Sequence, residues 1–261
     1  MVSIKIYDKL KLKVKRKESD LDLSAITKLH SEIIQTKPYL NKLYLDFYNE
    51  FKNSIQGDIE KKIIVELGSG GGFLKKIIPN AITSDIIQLP TIDKNFSAND
   101  MPFENKKIDA FFMLDVLHHI HDPISLFKEV NRCLKTNGKS VMIEPANTIW
   151  GRFIWKYFHH EPFDPQAGWG FQKGDPLFNA NSALPWIIFC RDRCRFEEIF
   201  PELKIVEIRP HTPFQYIISG GLSLKQLLPS MFFSYVKHIE YLLSPLNPYI
   251  GIFYTIKLIK G

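Results

Sequence analysis

The sequence predicts an α/β fold: a doubly wound, mostly parallel seven-stranded sheet with a helical N-terminal addition and late insertions. Two observations predict it. Short apolar runs rich in β-branched residues alternate with helical patterns from Lys61 onward, which is the signature of strand–helix–strand units building a parallel sheet. The first of these runs ends in a cluster of glycines, where a strand buried on both faces turns sharply.

The elements follow in order. Residues 1–60 read as a basic arm and a helical cap: Ile26, Leu29, Ile33, Leu40, Leu43, Leu45 and Phe47 recur among polar positions, and Pro38 divides the pattern into two amphipathic helices. Residues 61–261 read as the main domain, with inserts at about 148–200 and 212–248. Its first strand lies at Ile63–Leu67, followed by a helix over Phe73–Ile78 that Pro79 stops, and by a second strand over Ala81–Ile86. A third strand over Thr91–Ser97 is poorly marked, because Asp93, Lys94 and Asn95 interrupt it. Ile108–Leu114 and Ser140–Glu144 are two further strands around a helix that Asp122 caps and Pro123 opens, with Gly138 after its end. Leu203–Ile208 and Ile252–Ile259 complete the sheet, separated by about 40 residues in which Phe232, Val236, Ile239 and Leu243 share one helical face.

Apolar residues make up 45% and charged residues 24%, an ordinary globular balance that excludes a disordered or fibrous chain. Three cysteines, Cys133, Cys190 and Cys194, lack metal-ligand spacing and give neither a disulfide framework nor a zinc cluster, so a cytoplasmic setting is expected. The net charge of +6 is concentrated early, where Lys5, Lys9, Lys11, Lys13, Lys15, Arg16 and Lys17 stand against Asp8. Such an arm suits an anionic surface, which leaves peripheral membrane contact open, although a solvated arm has the same composition. Prolines and charges interrupt every candidate for a spanning helix.

In a doubly wound sheet, ligands sit beyond the carboxyl ends of the strands. The loop after the first strand reads VELGSGGGF, and the alternating Gly68, Gly70 and Gly72 let backbone approach a ligand without Cβ obstruction. Phe73 occupies the position where a dinucleotide fingerprint has a small residue, which argues against a dinucleotide. Asp85 ends the second strand at the spacing of a ribose-binding carboxylate. Asp100, in ANDMPF, precedes an apolar pair suited to a purine.

Taken together, VELGSGGGF, SDI, NDMPF, IDAFFMLDVLHHIHDP and LKTNGKSVMIEP resemble the class I S-adenosylmethionine-dependent methyltransferases of the small-molecule, ubiquinone-methylase-like type, over residues 61–146. The resemblance implies S-adenosyl-L-methionine as cofactor. It implies that Glu66, Gly68, Ser69, Gly70 and Gly72 approach the methionine part and the adenosine, that Asp85 with Ile86 holds the ribose, and that Asp100 with Met101 meets the adenine. Asp115 joins this cofactor-binding set.

Methyl transfer from a sulfonium gains most from alignment and exclusion of water, with a general base needed only for a poorly acidic acceptor. His119 and His160 are the candidate bases, the former after the fourth strand and the latter in YFHHEPFDP. No metal is expected, since His159, His160 and Glu161 lack the separation of a helical ligand pair. Trp150, Phe153, Trp155, Tyr157, Phe158, Phe163, Trp169 and Phe171 crowd one insert, which suggests an aromatic lid over the acceptor or a satellite hydrophobic cluster. The expected acceptor is a small molecule or a lipid- or glycan-type compound. A nucleic-acid methyltransferase is the first alternative, disfavoured because LDVLHH replaces the base-clamping Asn/Asp-Pro-Pro-aromatic motif. A non-catalytic relative that binds the cofactor is the second.

Overall fold

The computed structural model describes residues 22–159, 161–170 and 179–261; the basic arm, His160 and Phe171 lie outside the described residues. Helix α1 spans Leu23–Thr36, and its N-cap Asp22 accepts a 2.7 Å hydrogen bond from the Ala25 amide. Helix α2 spans Pro38–Ser54, with proline at its first turn, where a missing N–H costs nothing. The two-helix reading around Pro38 therefore holds.

The strands are β1 (Ile64–Leu67), β2 (Ile82–Asp85), β3 (Lys94–Asn95), β4 (Ile108–Leu114), β5 (Leu134–Pro145), β6 (Leu203–His211) and β7 (Phe253–Lys260). They form one seven-stranded sheet in the order β3-β2-β1-β4-β5-β7-β6. The first five run parallel, while β7 inserts antiparallel between β5 and β6. Because chain order reverses on either side of β1, the loops after β1, β2 and β4 open onto a common crevice.

Successive residues of β4 serve opposite faces. Phe111 and Met113 join Leu126, Phe127 and Val130 of helix α3 (Pro123–Cys133) in one core cluster. Ala110 and Phe112 join Leu43, Phe47 and Phe51 of α2 in the other, where Phe51 stacks on Phe112 with centroids 4.7 Å apart. Helix α3 starts as its sequence dictates, with Asp122 accepting from the Ser125 amide at 3.1 Å.

Four expectations need correction. Phe73–Ile78 makes only a 3-10 turn at Leu74–Lys76, since the few residues between the glycine loop and Pro79 cannot nucleate a longer helix. The third strand shrinks to two residues, because Asp93 turns its carboxylate onto Thr83 of β2 instead of continuing the ladder. Gly138 does not end α3: the chain passes from Cys133 directly into β5, whose Asn137 takes a φ of +63°. In the late insert, helix α8 covers Phe233–Leu242, after helix α4 (Ile149–Phe158), α5 (Leu184–Trp186), α6 (Arg193–Ile199) and α7 (Gln215–Ser219). Its buried residues are Phe233, Val236 and Glu240, so Phe232 and Ile239, expected to share one face with Val236, remain 42% and 50% exposed while Val236 packs inward.

Candidate active site

The glycine loop is fixed from both sides. Gly68 and Gly70 adopt φ of +66° and +46°, values that favour glycine. The Ser69 amide donates to the Ser84 carbonyl at 2.8 Å, and the Ser84 amide donates back to Ser69 Oγ at 3.2 Å, tying the loop to β2. Asp85 then accepts from the Gly70 amide through Oδ2 (2.8 Å) and from the Ile87 amide through Oδ1 (2.9 Å). A Cβ at Gly71 would stand 2.6 Å from the Ser31 amide nitrogen, and one at Gly72 would collide with the Tyr48 hydroxyl. Helices α1 and α2 thus lie directly over the loop.

Between loop and helices runs a cleft of about 280 Å³. Glu66, Gly68, Ser69, Gly70 and Gly72 form its floor, Asp85 and Ile86 one side, and Asp115 and His119 the other. Ile26, Thr27, His30 and Ile34 of α1 cover it. Eight cofactor-site residues expected from the sequence therefore line one space. Asp100 and Met101 do not: Asp100 is exposed, and Met101 is buried in the core with its amide donating to Glu129 at 2.8 Å. Phe96, Ser97, Ala98 and Asn99 occupy that end of the cleft instead. The weak third strand carried this signal, because its early termination turns the preceding residues into the crevice.

Two electrostatic features mark the floor and wall. Burial pushes the Glu66 carboxyl up to about 8, with the Ser69 hydrogen bond opposing and the Asp85 charge adding to it. Glu66 Oε2 is buried and has no hydrogen-bond partner among the described residues, a costly state for a polar atom unless a ligand engages it. Asp115 holds a φ of +62°, a conformation uncommon for a non-glycine residue and typical of functional sites.

Beside Asp115 lies a histidine cluster that was legible only in pieces. The turn Leu117–His119 follows β4, and Glu144 sits near the end of neighbouring β5. Glu144 accepts from the Val116 and Leu117 amides at 2.8 and 2.7 Å and from His118 Nδ1 at 2.7 Å. Glu161 then receives Nε2 of His118 (3.1 Å), His119 (3.3 Å) and His159 (3.1 Å), together with the Ser182 hydroxyl (3.1 Å). Although burial opposes it, the Glu161 and Glu144 carboxylates hold the His118 imidazole well above its ordinary range. Burial likewise opposes ionisation of Glu161, yet the His118 charge and the imidazole hydrogen bonds hold it far below the usual carboxylate range. His119, one of the two candidate bases, lines the cleft; His160, the other, lies outside the described residues. Sequence reasoning noticed Glu161 as a neighbour of histidines but not as the point on which they converge.

Among the described residues, the aromatic side chains of the insert do not cover this cleft. Trp155 and Trp169 are buried in the two core clusters, their indole N–H groups donating to the Ile252 carbonyl and to Asp192, at 2.9 and 2.8 Å. Within the described part of the insert, only Glu161 and Asn179 reach the cleft wall, and of the later insert only Leu222 does.

Residues 65–142 match a family model described as a methyltransferase domain. Among solved structures, the chain resembles a S-adenosylmethionine-dependent methyltransferase of Thermotoga maritima, described as a possible histamine N-methyltransferase. The two are 14% identical with a TM-score of 0.50, over 88% of this chain and 99% of that one. A geranyl diphosphate C-methyltransferase from Streptomyces coelicolor aligns with 12% identity and a TM-score of 0.47, over 94% of this chain and 88% of that one. No curated protein matches the chain in sequence. Residues 65–142, from the glycine loop into β5, are thus a methyltransferase domain, and on this strand order the chain has the fold of the class I S-adenosylmethionine-dependent methyltransferases.

Proposed function

We propose that the enzyme transfers the methyl group to an amphiphilic small molecule of lipid- or glycan-type chemistry, presented at a membrane surface. In this reading Glu66, Ser69, Gly70 and Gly72 hold the methionine part, Asp85 and Ile86 hold the ribose, and Asn99 with Phe96 takes the adenine end in place of Asp100 and Met101. Asp115 and His119 face the reacting end. Asp85 retains lone pairs for two ribose hydroxyls while its other lone pairs hold the loop amides. The observation that carries the acceptor class is an exposed apolar face. Met231, Phe232, Tyr235, Ile239, Tyr241 and Leu242 are all more than 40% exposed around α8. Leu246 and Tyr249 continue it to α4, which presents Ile149, Phe153 and Tyr157 four residues apart with exposed Arg152 and Lys156 between them. Large apolar side chains interleaved with cations suit the headgroup–acyl boundary of an anionic bilayer. No helix among the described residues is long and apolar enough to cross a membrane, so such contact is peripheral in kind.

Flotation with vesicles of phosphatidylglycerol and of phosphatidylcholine tests this. The full chain should float with the anionic vesicles, and Tyr235→Asp with Ile239→Asp, both exposed and tolerable to the fold, should cut the floating fraction about fivefold or more. Wild-type protein that stays with neither vesicle, or a double variant that floats equally, contradicts the membrane-presented acceptor.

A further inference from the structure

Two of the imidazoles gathered on Glu161, those of His118 and His119, stand with it at the dimensions of a coordination shell. One nitrogen each of His118 and His119 and one oxygen of Glu161 lie within 4.8 Å of one another. The Nε2-to-carboxylate separations are 3.1 and 3.3 Å for His118 and His119. Donors bonded to a divalent transition metal at about 2.0–2.1 Å, with angles between those of an octahedron and a tetrahedron, stand roughly 2.9–3.4 Å apart. Both distances fall in that interval.

The surroundings of His118 supply what a ligating imidazole needs next. Its Nδ1 is held at 2.7 Å by Glu144, a fully buried carboxylate that the Val116 and Leu117 amides fix in turn. This carboxylate–histidine relay sets the tautomer and directs the Nε2 lone pair toward Glu161. Glu161 is itself oriented by the Ser182 hydroxyl at 3.1 Å, and the Asn181 amide, donating to the His118 carbonyl at 2.9 Å, holds the His118 backbone. The donor set, imidazole nitrogen plus one carboxylate, favours borderline ions such as zinc, cobalt or iron over magnesium or calcium, which prefer oxygen. His119 and Glu161 also line the cleft, which provides an entry path and an open side.

We propose that the imidazoles of His118 and His119 and the carboxylate of Glu161 form a binding site for a divalent transition-metal ion on the Asp115 side of the cleft. Its place in the fold gives it a use: an ion there meets an acceptor oxygen entering the cleft and increases the acidity of a hydroxyl bound to it. The site stands on its own geometry and does not depend on the acceptor proposed above.

The test uses the full chain, stripped with a chelator and confirmed folded by circular dichroism, and titrated separately with zinc by calorimetry and with cobalt by visible absorption. One equivalent should bind at about micromolar affinity or tighter, with cobalt developing ligand-field bands of a low-coordinate nitrogen–oxygen site. Glu161→Gln and His119→Gln should each weaken binding by about tenfold or more, with the variants compared after circular dichroism confirms that they are folded. Absence of zinc and cobalt binding by the folded wild type overturns the proposal. Binding of unchanged affinity in both folded variants does so too, since the ion would then sit elsewhere.

Discussion

Glu66 enters the cleft with its carboxyl raised from the ordinary 4.5 to about 8, so near neutral pH it is protonated in the free enzyme. S-adenosylmethionine carries a fixed sulfonium charge, and a cation brought into this dry space favours the ionised carboxylate. Binding should therefore release a proton, and affinity should rise with pH up to about 8 and then level off. Calorimetry at pH 7 in buffers of different ionisation enthalpy reads the proton directly. Glu66→Gln should abolish its release, and a wild type that binds without releasing one would contradict this role. Asp85 differs in kind. Its place at the tip of β2 was legible, and the ribose contact is proposed from it, but the sequence does not display the bonds it makes to the loop. By accepting from the Gly70 and Ile87 amides it also shapes the loop, so Asp85→Ala would disturb the loop along with the ligand contact. Asp100 shows the converse. Its spacing resembles that of an adenine-site acid, yet a strand ending after two residues places Asn99 on the cleft instead.

At the scale of elements, α1 decides how the cofactor enters. Four of its residues cover the cleft, and its backbone at Ser31 lies against Gly71. Burial of Ile26 and Ile34 anchors it, so passage of a ligand requires this helix to lift, and a bound ligand should hold it down. Limited proteolysis should therefore cut between Leu23 and Thr36 in the free enzyme and be slowed several-fold by S-adenosylhomocysteine. Equal cleavage with and without the ligand would show that α1 is not the gate. The two N-terminal helices were readable because apolar spacing and Pro38 agree. The face that α8 buries was not, because periodicity ranks faces by apolarity and here the more apolar face is the exposed one. Tertiary contacts chose the other: Glu240 turns inward to accept from the Phe214 and Gln215 amides at 2.8 Å, and Phe233 meets Tyr39 edge-on at 5.0 Å. The aromatic insert misled for a related reason, since tryptophans that complete a core and aromatics that form a lid have the same composition.

At the scale of the molecule, the strand order follows from right-handed crossovers between parallel strands, and the antiparallel β7 closes the sheet after a long excursion. That architecture was foreseeable from alternating periods, and with it the crevice beyond β1, β2 and β4. The gathering of His118, His119, His159, Glu144 and Glu161 was not, because segments far apart in sequence meet only once the inserts fold back on β4. The crevice is proposed as the cofactor site, and calorimetric titration with S-adenosylmethionine and S-adenosylhomocysteine reads that assignment without an acceptor. One equivalent of each should bind to the wild type. Asp85→Asn should weaken both about tenfold or more by losing charge-assisted hydrogen bonds to the ribose. Gly70→Leu should do the same, because a Cβ there already touches Asp85 and Thr27 at 3.9 Å, the rest of the side chain would fill the cleft, and the φ of +46° strains any residue but glycine. Failure of the folded wild type to bind either ligand, or unchanged affinity in both variants, would contradict it.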